Sequence, residues 1–432
     1  MKSFVNALCI CICAAIGAPA SAQTEQWAAR YNGPANGYDV AREVAVDAEG
    51  NVYVTGSSLG SGTGRDYATV KYDSAGNEQW VARYNGPANS DDFARDIALD
   101  VSGNVYVTGT SPGVGSSNDY ATIKYDAAGN EQWVARYIGP GINNQDDTAS
   151  GLALDASGNA YVTGTSWAKG SGPDYATVKY DAAGNEQWVA RYNGPGNLGD
   201  YTSDIEVDSS GNVYVTGSAF VSPYGGQGHN DYATVKYDAA GNEQWVALYN
   251  GLGGYLEGYE YAYALALDAS GNVYVTGRSW NGNNGSYDYA TVKYDSAGNE
   301  QWDARYHSPW GGEDWAYALG VDASGNVYVT GFSWNGNNSS YDYATVKYDS
   351  AGNQQWVVRY NGPGNGEEIA RALAVDASGN VYVTGTSLGA GSGYDYATVK
   401  YDSAGKEQWV VRYNGPGNND DNARALAVDV SG

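Results

Sequence analysis

An acidic side chain recurs eight positions before the Asp that closes a short apolar run, at Asp39, Asp92, Asp147, Asp200, Glu260, Asp314, Glu368 and Asp421. Carboxylates brought together this way could share a cation or hold a cationic ligand. A pair spaced for it could also cleave a glycosidic bond, although the spacing does not single out a pair. Like charges repel, so the set needs cations, backbone donors or nearby arginines. Arg42, Arg95, Arg371 and Arg424 follow at three residues' distance in four of the eight places. The competing reading is that the acids make a hydrogen bond at the start of a strand, repeated because the segment was duplicated.

Aromatic residues form a second group. Trp167, Trp280, Trp310, Trp315 and Trp334 fall in or beside segments of variable composition, joined there by Tyr224, Tyr255, Tyr259, Tyr287, Tyr341 and Tyr394. Rings beside Asn, Ser and Asp suit stacking on a ligand such as a sugar, or else cover sheet edges. The two histidines, His229 and His307, have no Ser or Asp motif around them and read as loop residues, not as a triad or metal site. No catalytic residue can be assigned from the sequence.

What must position these residues is a repeat. VYVTG begins at Val52, Val105, Val213, Val273, Val327 and Val381 and occurs as AYVTG at Ala160, with copies 53 to 60 residues apart. Each unit contains four runs, a to d, rich in Val, Tyr, Thr or Trp and without helical periodicity; in the second unit they are Ile97–Asp100, Val105–Thr108, Tyr120–Tyr125 and Gln132–Tyr137. Asp-x-x-Gly-Asn separates a from b, as at Asp155–Asn159, and the same form separates c from d, as at Asp181–Asn185. Asp opening a type I turn and Gly in the following left-handed position predict two tight hairpins per unit, and the dense Asp spacing of a calcium loop is absent. The b–c and d–a links vary, so one end of each sheet is uniform and the other is free to carry a site.

Four-stranded units of about 54 residues predict a β-propeller. DASGNVYVTGTS followed by DYATVKYD resembles the bacterial β-propeller repeat family named for seven-bladed propellers. The resemblance implies a secreted or surface propeller and no single activity. YDSAGNEQW also resembles the tryptophan-docking motif of quinoprotein-type propellers, one residue shorter, and no cofactor is carried over. Trp27, Trp80, Trp133, Trp188, Trp245, Trp302, Trp356 and Trp409 share one place in run d and read as packing residues. Lys71 and its counterparts, one per unit in run c, read as partners of repeat acids. Runs a and d occur eight times but b and c seven, which predicts seven complete blades and a partial eighth. Because the chain stops inside a turn at Gly432, it reads as truncated at the C-terminus.

The first 22 residues differ from the rest. Lys2, the apolar run Ala7–Ile16 and Ala20-Ser21-Ala22 before Gln23 predict an export leader over 1–22 and a repeat domain over 23–432. The apolar run is too short for a membrane span. All three cysteines, Cys9, Cys11 and Cys13, lie inside it, so the exported form would carry no thiol. The net charge of −26 over the whole chain excludes a nucleic-acid partner, since phosphate binding needs a clustered basic face.

These readings converge on an all-β propeller, secreted, at the cell surface or periplasmic, that binds an extracellular protein or glycan without catalysis. The alternative is an extracellular hydrolase or lyase on the same scaffold. The expected binding surface is the variable-loop end, with Asp39, Asp92, Asp147, Asp200, Glu260, Asp314, Glu368 and Asp421 at its centre and Trp167, Trp280 and Trp334 around them. No cofactor is expected beyond calcium shared by the acids.

Overall fold

A computed structural model of the chain describes residues 10–11, 25–141, 145–221, 228–252, 258–282, 285–336 and 340–429. Apart from Ile10 and Cys11, the expected leader lies outside the described residues, as do Tyr224 and Tyr255. Among the described residues there is no helix, and seven four-stranded antiparallel sheets each take four consecutive strands in chain order. Blade 1 comprises strand a Asp39–Val46, strand b Val52–Leu59, strand c Arg65–Tyr72 and strand d Glu78–Tyr84. Blades 2 to 7 begin at Phe93, Asp147, Tyr201, Tyr261, Asp314 and Glu368. The strands extend further toward the variable end than the runs read from sequence; in blade 2 strand b continues from Val105 to Pro112.

Ala29–Leu248 and Tyr249–Gly432 form two compact units. Within each, strand a of one blade packs against strand a of the next, which places the a strands innermost. The cores lie between blades: Tyr53 and Tyr67 of blade 1 pack with Ile97, Val107, Ala121 and Tyr125 of blade 2. Inside a sheet, buried Thr55 and Thr69 hydrogen-bond across strands b and c at 3.0 Å, a pair renewed in blade after blade.

The turns form as their residues predict. In Asp47–Asn51, Asp47 Oδ1 accepts from the Glu49 and Asn51 backbone N–H groups, and Gly50 takes φ 78°. The tryptophans of strand d do the joining between blades. Trp80 Nε1 donates to the Ala127 carbonyl in the next blade's c–d turn at 3.1 Å, and Trp133 donates to Ala182 at 3.2 Å. Gly129 and Gly184 lie under these indoles, where a Cβ would come within 2.7 Å of the ring. The strand c lysines cover tyrosines rather than pairing chiefly with acids: Lys71 Nζ stands 4.9 Å from the Tyr53 ring centroid. Among the described residues, one such lysine, Lys124, also approaches a repeat acid, Asp100, at 3.9 Å.

The pieces of a partial eighth blade flank the complete ones. Arg83 Nη1 donates to the Tyr31 hydroxyl at 2.9 Å, as Arg136 does to Tyr84 at 3.0 Å, so Tyr31 takes the place of a preceding strand d tyrosine. At the other end, Asp421 N donates to the Tyr394 carbonyl at 2.6 Å, as Asp92 N does to that of Arg65 at 2.6 Å.

Candidate functional site

Seven of the acids sit at or beside the first residue of a strand a, and Asp421 precedes a segment that is not in a strand. Seven of them are buried, from 0% exposed at Asp92 to 5% at Asp39, and Asp421 is half-buried. Their carboxylates tie down the variable links. Gly86 N donates to Asp92 at 2.7 Å, Gly139 N to Asp147 at 2.7 Å and Gly415 N to Asp421 at 2.6 Å. Each of these glycines belongs to a d–a link. In several blades the second oxygen reaches the far end of strand b: Asp147 accepts from Trp167 N at 3.1 Å, and Asp314 from Trp334 N at 3.0 Å. The link glycine is required here, because a Cβ on Gly33 would fall 2.1 Å from Ser58 Oγ and 2.8 Å from Asp39. Burial pushes Asp200 and Asp314 up to about 6 and Glu260 and Glu368 up to about 7. The acids therefore organise the variable end from beneath.

Trp280 and Trp334 end strand b, Trp167 is one residue short of its end, and all three are half-buried. Trp280 meets Tyr287 edge-on at 5.4 Å and Trp334 meets Tyr341 in the same way at 5.4 Å, across a b–c hairpin. In blades 5 and 6 the aromatic surface goes deeper. Trp315 on strand a pairs in register with Phe332, and Tyr261 at the equivalent place pairs with Arg278. In blades 1, 2, 3, 4 and 7 the strand b member of this pair is Ser57, Thr110, Thr165, Ser218 or Thr386. Trp310, 54% exposed, is the most open tryptophan described, and the Arg359 guanidinium lies 5.2 Å from its ring.

A further set of carboxylates, Glu43, Asp96, Asp204 and Glu206, lies on the a strands of blades 1, 2 and 4. Strand a bulges in each blade, in blade 1 between Ala41 and Glu43, and Glu43, Asp96 and Asp204 follow the bulge. Asp96 accepts from the Leu152 backbone N–H of blade 3 at 2.7 Å. Burial first, then repulsion from Asp96, raises Glu43 to about 8; Glu206, more open to water, is raised by burial and then by repulsion from Asp204 and Asp96. The signal available in the sequence was substitution: Gly151, Ala264, Ala318 and Ala372 occupy the equivalent place in the other blades.

The histidines have separate explanations. Strand d of most blades carries an arginine clamp: Arg136 donates to Tyr84, to Ser111 and to Asp119, the last at 2.8 Å. Blade 4 has Leu248 at that place, and there His229 Nε2 meets the corresponding Asp231 at 3.0 Å, both side chains buried. His229 thus stands in for the missing guanidinium. We expect His229→Ala to cost about 2 kcal/mol by removing one partner of a buried carboxylate, and Leu248→Arg to restore part of that loss, as read by urea denaturation. Exposed His307 brings one nitrogen within 4.8 Å of oxygens from Asp288 and Asp314, an arrangement that could hold a metal ion. Both of those acids already accept hydrogen bonds, Asp288 from Asn281 and Asp314 from Ser308 N.

Comparison with known proteins agrees with this architecture. A profile described as the SBBP β-propeller repeat matches residues 26–62, 79–113, 132–170 and 187–224. Among solved structures, a periplasmic gluconolactonase of Pseudomonas aeruginosa is 13% identical with a TM-score of 0.50, covering 84% of this chain and 94% of that one. A puromycin hydrolase is 12% identical with a TM-score of 0.51, covering 88% of this chain and 55% of that one. Such likenesses show the fold alone. No curated protein matches the sequence. The SBBP β-propeller repeat profile thus matches four units of this chain, and the same hairpins, tryptophan docks and strand-start acids carry on through the later blades of its seven four-stranded sheets.

Proposed function

We propose that this protein is an exported, non-enzymatic propeller that binds an extracellular glycan or protein through the variable-loop end of its blades. The observation that carries the reading is the contrast between the two ends. The Asp-x-x-Gly turns are nearly uniform, whereas the opposite end holds Trp280, Trp315, Trp334 and their partner rings in adjacent blades 5 and 6, where blades 1 and 7 have Leu59 and Val40 or Leu388 and Ile369. Half-buried rings held by glycine contacts and buried acids form a pre-ordered stacking surface, which lowers the entropy a ligand must overcome. The eight acids contribute by holding the loops, and calcium, if it binds, would have to compete with backbone donors already in place.

The test uses the mature protein, expected to begin at or near Gln23 when its N-terminus is sequenced, on a glycan array. We expect binding to a defined set of glycans, weakened at least tenfold in the Trp280→Ala/Trp334→Ala double variant. An array with no signal, together with no captured extracellular protein, would overturn the binding reading.

A hydrolase remains the second reading, favoured by one observation: carboxyls with raised pKa, Glu43 among them, sit together on the innermost strands. The propeller likenesses include a gluconolactonase and a puromycin hydrolase, which makes gluconolactone and puromycin the first substrates to offer. Turnover abolished by Glu43→Gln would establish it.

A further inference from the structure

We propose that Arg278, with the rings around it and Arg371 beyond them, forms a recognition site for an oligosaccharide of carboxylate-bearing sugars. This rests on the binding reading above and names its ligand class. The Arg278 guanidinium lies 3.7 Å from the Trp315 ring centroid, 4.5 Å from that of Tyr261 and 4.8 Å from that of Tyr287. Its place in strand b belongs to Ser or Thr in five other blades and to Phe332 in blade 6, so the repeat does not require a cation there.

The pairing of Arg278 separates it from the clamp arginines. Those on strand d each have an aspartate, as Arg359 has Asp342 at 3.2 Å and Arg412 has Asp395 at 3.0 Å. Among the described residues no carboxylate lies within ion-pair distance of Arg278, and its Nε has no acceptor. Asp314 beside Trp315 already accepts from Ser308 N and Trp334 N, and Glu313 is taken by the indole, whose Nε1 donates to it at 2.5 Å. A ring stacked on a guanidinium face, as Trp315 at 3.7 Å can be, accepts no in-plane hydrogen bond, so the N–H fork stays available to an outside acceptor. That fork matches a carboxylate in two-point geometry, which an ammonium cannot reproduce.

The surroundings extend the argument from one sugar to several. Trp315 packs against Phe332 at 5.1 Å and Tyr317 against Phe332 at 5.8 Å, and exposed Arg371 of blade 7 lies 4.6 Å from the Tyr317 ring. Two guanidinium groups are thus joined by a row of rings across blades 5, 6 and 7. Alternating stacking surface and cation is the pattern an acidic glycan presents in complement, and the cations stand out on a chain of net charge −26.

The experiment titrates the mature protein with an oligogalacturonate and with the same oligosaccharide after reduction of its carboxyl groups, following tryptophan fluorescence and heat of binding. We expect the acidic form to bind and reduction to weaken it at least tenfold. Arg278→Lys should lose most of that preference because it keeps the charge and discards the fork. Arg371→Gln, at an exposed position, should lower affinity for the acidic form while leaving the melting temperature unchanged. Equal binding of acidic and reduced forms, or unaltered affinity in a folded Arg278→Lys protein, would overturn the proposal and leave the broader binding reading standing. If neither form binds while other glycans on the array do, the carboxylate assignment fails alone. If no glycan or protein binds at all, both fail.

Discussion

Trp133→Ala should lower the stability of the protein by about 3 kcal/mol, toward the lower end for a Trp truncation because the ring is half-buried. The loss has three sources. The indole packs against Tyr106 at 5.9 Å in its own blade and Tyr180 at 6.2 Å in the next, and its N–H bonds the Ala182 carbonyl. The substitution removes apolar burial on both sides of a blade junction and leaves that carbonyl without its indole donor. Trp133→Phe should recover more than half, since it keeps a ring and gives up the hydrogen bond. Gly184→Ala tests the same dock from the other side. Its φ of 85° and the 2.7 Å approach to Trp133 both penalise a Cβ, so the loss should match or exceed that of Trp133→Phe. Chemical denaturation of the single and double variants checks this. Additive losses would mean that ring and glycine do not form one contact.

A second large effect is expected from pH. Glu260 and Glu368 are raised to about 7, Asp200 and Asp314 to about 6 and Glu43 to about 8, each chiefly by burial. In the unfolded chain such groups titrate near pH 4. A raised carboxyl favours the folded state fully below the unfolded pKa, and that contribution is lost as pH rises through the folded value. Stability should therefore fall between about pH 4 and pH 8, by on the order of 10 kcal/mol summed over these groups. The turn aspartates act in the opposite direction. Asp100 and Asp155 are held below their usual range by hydrogen bonds from Asn104 and Asn159, which outweigh burial, so their contribution is lost below about pH 4. The melting temperature should peak at about pH 4. A curve rising from pH 5 to pH 8 would contradict the burial of the strand-start acids.

How much of this could be read from the sequence depended on how local each interaction is. The Asp47–Asn51 turn closes within five residues, so its type followed directly from Asp, Gly and Asn. Trp80 could be recognised as a packing residue from its recurrence, but not as a donor to Ala127 in the next blade, 47 positions away. The places of Asp92 and Asp314 were equally plain. Their role was not, because whether a carboxylate faces water or a backbone N–H depends on how the d–a link folds over it. Glu43, Asp96 and Arg278 went unnoticed for a different reason. Repeats direct the eye to what is constant, and these residues matter by departing from it, at positions where most other blades carry alanine, glycine or a small hydroxyl. His229 shows how far such a departure can be explained only in three dimensions, since its reason for being there is Leu248, 19 positions later on another strand.

The tryptophan dock has one more consequence, for how such a chain can change over generations. Trp80 reaches Ala127, Trp133 reaches Ala182 and Trp188 reaches Ala239, so every junction described in this run is the same indole on the same turn one blade onward. Stability in such an array is a sum of neighbour terms. Unequal crossing-over between near-identical coding segments would deliver a new blade that already carries an indole for its successor and a glycine turn for its predecessor. Gain or loss of a repeat then needs no compensating substitution at the new junction, whereas the loops at the opposite end can diverge copy by copy without touching the joint.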